Sequence, residues 1–109
     1  GKYNSIINKL NNVRFIQSSI NKWCRGQVIK NNCFDLVIVD PPRTGIPNLE
    51  KIIAELTGKK LLYISCDPAT LVRDLSRLTK HNLEVKKIQP LDMFPQTHHI
   101  ESMVLLEKN

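Results

Sequence analysis

The chain has 109 residues, 41% of them hydrophobic, enough for one domain with a modest core and too few for two. Sixteen Lys and Arg against ten Asp and Glu give a net charge of +6, which suits a polyanionic partner such as RNA without singling one out. No run of about 18 apolar residues occurs, which excludes a helical membrane span; "GKYNSIINKLNN" has no apolar stretch of the secretory kind, so a cytoplasmic protein is expected.

In chain order, Tyr3 to Asn11 sets Ile6, Ile7 and Leu10 at helical spacing, as the tail of an amphipathic helix. "VRFIQ" (13–17) alternates as a short strand does, and Ile20 to Lys30 reads as a short helix or a loop around Gly26. "FDLVIVD" (34–40) is a β-branched run of the kind a parallel sheet buries on both faces. "PPRTGIP" (41–47) is a loop, because two prolines and a glycine break regular structure. Asn48 then caps a helix running to about Thr57, with Leu49, Ile52, Ile53 and Leu56 on one face and Gly58 as its stop.

"KLLYIS" (60–65) is the next buried strand. Pro68 to Thr79 is a helix with Leu71, Leu75 and Leu78 inward and Arg73, Arg77 and Lys80 outward. "LEVKKIQPLD" (83–92) is a strand, "MFPQTH" a connector and "HIESMVLLE" (99–107) the last strand. Alternation of helix and strand predicts an α/β parallel sheet that ends in an antiparallel strand pair. Ligands of such sheets bind at the carboxyl ends of the strands, where Asp40, Cys66 and the loop before His99 fall.

Three cysteines (24, 33 and 66) without a CxxC pair favour free thiols over a disulfide framework or a closed zinc site. Cys66 stands where the run 60–65 gives way to a helix. There it is inert filling of a core or a nucleophile facing the partial positive charge of unpaired N–H groups. Asp67 beside it opposes that charge. Asp40 is either a solvated turn residue or a carboxylate held toward a ligand by the stiff Pro41-Pro42. Glu101, early in an apolar strand, is either an edge charge or a buried base. His98 and His99 are adjacent on a strand and face opposite ways, so a joint metal site is not expected. Trp23 and Phe94 read as core or loop packing.

Two stretches carry a likeness to known proteins. "DPPRTG" (40–45) precedes "LLYISCDPAT" (61–70), and "LDMFPQTHHIE" (91–101) follows. In these residues the chain resembles the RNA (uracil-5-)-methyltransferases of the RumA/TrmA type. "CDPATLVRD" and "LDMFPQTHHIESMV" are more similar to the ribosomal than to the transfer RNA branch. The resemblance implies methylation of carbon 5 of a uridine in 23S ribosomal RNA, with S-adenosylmethionine as methyl donor; transfer RNA methylation and a noncatalytic RNA-binding module are the alternatives. It makes Cys66 the nucleophile at uracil carbon 6 and Glu101 the base for the carbon 5 proton. It places Asp40, and less directly Ser19, at the cofactor, and it offers Arg43 and Arg73 to the RNA backbone. Asp67 departs from the family, which has Asn there.

The resemblance also implies a Rossmann-like sheet of which this chain is the C-terminal portion. No GxG occurs, so the glycine-rich cofactor loop, the first strands and the N-terminal RNA-binding and iron–sulfur regions are expected outside these residues. Without the first strands, the strand at 34–40 is expected to form an apolar edge that re-pairs with 13–17, dimerises, or leaves the N-terminal segment frayed.

Overall fold

The computed structural model describes residues 13, 14, 16–91 and 101–109. The helix expected at Tyr3–Asn11 and the connector with Phe94, His98 and His99 lie outside the described residues. The order of elements is α1 (Ile20–Ile29), β1 (Phe34–Val39), α2 (Glu50–Leu56), β2 (Thr57–Ser65), α3 (Pro68–Leu78), a 3-10 turn (Thr79–His81), β3 (Leu83–Leu91) and β4 (Glu101–Lys108).

The four strands form one sheet in the order β1-β2-β4-β3. β1 and β2 are parallel, with Val39 opposite Tyr63. β4 runs antiparallel to both neighbours, pairing Tyr63 with Val104 on one side and Ile88 with Val104 on the other. The antiparallel pair expected at the end of the chain is present, and its last strand is inserted beside β2 rather than added at the margin.

Alternation along the strands sorts the core. Leu61, Tyr63, Val104 and Leu106 are at most 1% exposed and meet Ile53 and Ala54 of α2 and Leu71 and Leu78 of α3. The intervening residues take the opposite side: Leu36, Ile38 and Ile88 are all more than half exposed. Burial of 34–40 on both faces is therefore not observed. Val37 and Val39 pack on the core, while Phe34, Leu36 and Ile38 face away from it, because β1 is the sheet margin and has no outer neighbour among the described residues.

Local chemistry moved several boundaries. Residues 13, 14, 16 and 17 lie outside the sheet, so the strand read in "VRFIQ" does not form there; Phe15 is not among the described residues. Ile20–Ile29 resolves as a helix, capped by the Ser19 hydroxyl, which accepts from the Lys22 N–H at 3.2 Å. Its Trp23 stacks on Phe34 at 6.0 Å between ring centroids. Cys24 is buried in it, and that burial raises its thiol above the ordinary value. Asn48 is not the cap of α2: it takes φ 66°, a left-handed turn that asparagine tolerates, and α2 starts at Glu50. The same helix ends before Gly58, because Thr57 donates its hydroxyl to the Ile53 carbonyl at 2.8 Å and turns directly into β2. At its far end the Lys108 ammonium of β4 donates to the Ala54 carbonyl, a cation on the negative end of the helix.

Candidate active site

Three of the residues singled out in the sequence converge on one end of the sheet. Asp40 follows the last residue of β1, Cys66 follows the last residue of β2, and Glu101 opens β4. β4 runs against β2, so its first residue meets the carboxyl end of β2. The register closes on Ser65 opposite Ser102, so Cys66 and Glu101 are the residues that flank this last pair at one end of the ladder. Both are partly exposed.

The turn that presents Cys66 is built by its neighbours. The Ser65 hydroxyl accepts from the Asp67 N–H at 3.1 Å and donates to the Asp67 carbonyl at 3.0 Å, folding the backbone around the cysteine. The Asp67 carboxylate accepts from the Ala69 N–H at 3.0 Å as the N-cap of α3, and Pro68 fills the first helical position. Asparagine makes the same cap, so the exchange of Asn for Asp preserves this local structure.

Behind this surface lies a buried polar knot that the sequence reading missed. The Asp74 side chain is fully buried. One of its oxygens accepts from the Ile46 N–H at 3.0 Å and the Tyr63 hydroxyl at 2.5 Å. The other accepts from Nε and Nη2 of Arg73 at 3.2 and 3.0 Å, and Nη2 also donates to the Thr44 carbonyl at 2.5 Å. The 41–47 loop, β2 and α3 thus meet on one carboxylate. Gly45 makes the meeting possible: it takes φ +75°, and a Cβ there would collide with Asp74, Thr70 and Arg73. Burial first, then the hydrogen bond and charge of Asp74, raise the Tyr63 phenol far above its ordinary value, so it remains a donor. The signal was present in the spacing, since Asp74 shares the inward stripe of α3 with Leu71 and Leu78.

Beside Asp40 a cleft of about 620 Å³ opens along the margin of β1, walled by Ile16, Ile20, Trp23, Ile38 and Pro41. Its size and mostly apolar walls fit a small-molecule cofactor with an aromatic base. Asp40 offers the cleft a carboxylate, and Ser18 rather than Ser19 lines it, Ser19 serving as the cap of α1. Arg43 lies exposed on the loop. Arg73, read as facing RNA, instead directs its guanidinium to Asp74 and Thr44 within the chain.

Comparison with known proteins places these features. Among solved structures, M1.HpyAVI in complex with SAM superposes with a TM-score of 0.65 at 14% identity, over 85% of this chain and 54% of that one. A candidate methyltransferase of Thermoplasma acidophilum superposes with a TM-score of 0.68 at 15% identity, over 96% and 50%. The fold is that of S-adenosylmethionine-dependent methyltransferases. An uncharacterized RNA methyltransferase of Thermotoga maritima is 38% identical over 109 residues, 99% of this chain and 24% of the relative. The 23S rRNA (uracil(1939)-C(5))-methyltransferases RlmD of Vibrio campbellii and Pasteurella multocida are 39% and 41% identical, over 97% and 98% of this chain and 24% of each relative. The chain thus spans about a quarter of the length of these relatives. Residues 2–109 match the tRNA (uracil-5-)-methyltransferase family from end to end, and the chain belongs to it.

Proposed function

We propose that this chain carries the nucleophile and the base of an RNA uracil-5-methyltransferase that acts on 23S ribosomal RNA in the cytoplasm, and that it works as the C-terminal part of a larger enzyme. The observation that carries the proposal is the register that brings the start of β4, with Glu101, to the end of β2 that Cys66 follows, at the same sheet end as Asp40 and its cleft. The RlmD relatives, which methylate 23S rRNA by name, support the choice of RNA.

Carbon 5 of uracil is a poor nucleophile. The Cys66 thiolate adds to carbon 6 and drives the ring electrons to carbon 5 as an enolate, which can then be alkylated. S-adenosylmethionine, when bound, supplies the methyl group at that carbon; Asp40 and the walls at Ile20, Trp23 and Ile38 would hold it. Glu101 takes the carbon 5 proton, the double bond between carbons 5 and 6 returns, and the Cys66 thiolate leaves. The target base reaches Cys66 only after leaving its stack, and the exposure of Arg43 on its loop supports a contact with an RNA phosphate.

The test uses the complete enzyme and RNA carrying 5-fluorouridine, whose fluorine cannot depart as a proton does. A covalent RNA adduct is expected with Cys66 and not with Cys66→Ala. Glu101→Gln is expected to accumulate the adduct on ordinary uridine as well. Binding of RNA without any adduct would instead establish a noncatalytic RNA-binding module. An adduct with transfer RNA alone would move the substrate to the other branch.

A further inference from the structure

We infer that Tyr63 and Asp74 are positioning residues, which hold the cofactor-side loop in fixed relation to the nucleophile; the inference rests on the proposed methyl transfer. Methyl transfer needs two partners brought together, one governed by Asp40 and its loop and the other by Cys66 at the end of β2. These parts are separate in sequence and belong to different elements. The Asp74 carboxylate joins them: it accepts from Ile46 in the loop and from Tyr63, three residues before Cys66 on the same strand. Arg73 closes the ring from α3 to the Thr44 carbonyl.

Stability alone does not explain this choice of residues. A fully buried carboxylate carries a desolvation cost, and an apolar cluster of similar volume is often as stable or more so. What a carboxylate with directed donors adds is a single geometry. An apolar contact lets the loop slide; four donors aimed at two oxygens do not. The close approach at Gly45 leaves no slack, because even a methyl group would strike Asp74. Neither Tyr63 nor Asp74 is exposed to the site, so both act through the loop and the strand.

The experiment compares Tyr63→Phe and Asp74→Asn with the unaltered complete enzyme, at a temperature where circular dichroism shows each to be folded. A displaced loop is expected to lower the methylation kcat by about 10- to 100-fold. The rate at which iodoacetamide alkylates Cys66 is expected to stay within about two-fold, since the Ser65–Asp67 turn, not the loop, presents the thiol. A role limited to stability would leave kcat unchanged in the folded variants, and that result overturns the inference. A parallel loss of Cys66 reactivity also overturns it, by placing the damage at the nucleophile. Where Asp74→Asn does not fold, Tyr63→Phe, which removes one donor and leaves Asp74 charged and paired with Arg73, carries the same comparison. An unaltered enzyme that methylates nothing would count against the proposed function itself, a distinct outcome.

Discussion

Replacing Asp74 by asparagine keeps the shape of the side chain and removes its charge. Asparagine has one oxygen to share among donors that the carboxylate serves with two. Its amide nitrogen, itself a donor, must face either the Ile46 N–H and Tyr63 hydroxyl or the Arg73 guanidinium. The second arrangement costs less, because the Arg73 side chain is 37% exposed and can turn to water, whereas Tyr63 is 1% exposed. The loss then consists of charge assistance on two buried hydrogen bonds, about 1 kcal/mol each, and one poorly matched buried amide, about 1 kcal/mol more. No buried charge is stranded, so the total stays at about 2–3 kcal/mol, below the 3–5 kcal/mol typical when one partner of a buried pair is removed. Urea unfolding of this chain, followed by the fluorescence of its single tryptophan, Trp23, reads the change. At an m-value of about 1.5 kcal/mol/M the midpoint falls by about 1.5–2 M. Arg73→Met, which leaves the fully buried Asp74 carboxylate without its cation, is expected to cost more, about 3–5 kcal/mol. An Asp74→Asn midpoint within about 0.3 M of the unaltered chain would refute the assignment of the knot to Asp74.

Other changes test other joints. Tyr63 has its phenol raised, so the folded state holds that proton more tightly than the unfolded chain. Its contribution is complete below about pH 10 and is lost as pH rises above it, by up to about 1.4 kcal/mol per pH unit. Cys24 is raised too and contributes a loss of the same sign, so the measurement is the difference in alkaline unfolding slope between the unaltered chain and Tyr63→Phe; identical slopes would contradict the assignment. Gly45→Ala combines a positive φ with a collision against Asp74 and is expected to cost more than about 3 kcal/mol in the same urea assay. Asp67→Ala removes the cap of α3 and should cost about 1 kcal/mol, while Asp67→Asn should change stability by only a few tenths, a contrast that thermal melts resolve. Ile38→Lys places a charge on an exposed strand at the sheet margin; sedimentation is expected to show less self-association with little change in unfolding midpoint.

The elements that proved legible were those whose residues have few alternatives. The β-branched run at 34–39 and the leucine spacing of α3 left little choice but strand and helix. Asn48 misled because asparagine suits both a helix cap and a left-handed turn, and only the surrounding loop decides between them. The two-sided burial expected of β1 failed for a different reason: a strand's composition records the surroundings it suits, not those it has within these residues. Of the candidate site, Asp40, Cys66 and Glu101 stood out from residue type and position, and the resemblance supplied their expected roles. Asp74 was overlooked because the arginine next to it drew the helix's polar residues outward. A carboxylate three residues after Leu71 and four before Leu78 was the available clue. That the start of β4 would lie beside the end of β2 depends on the insertion of β4 between β2 and β3, which no local pattern discloses.

That insertion sets an order of assembly. The final strand of the sequence is central among the described strands, with Val104 and Leu106 fully buried between its two neighbours. During synthesis, β2 leaves the ribosome before β4. Until β4 docks, β2 and β3 have no strand to join them and the core lacks Val104 and Leu106. A chain halted before Glu101 therefore holds two strands that flank a gap and cannot close its sheet.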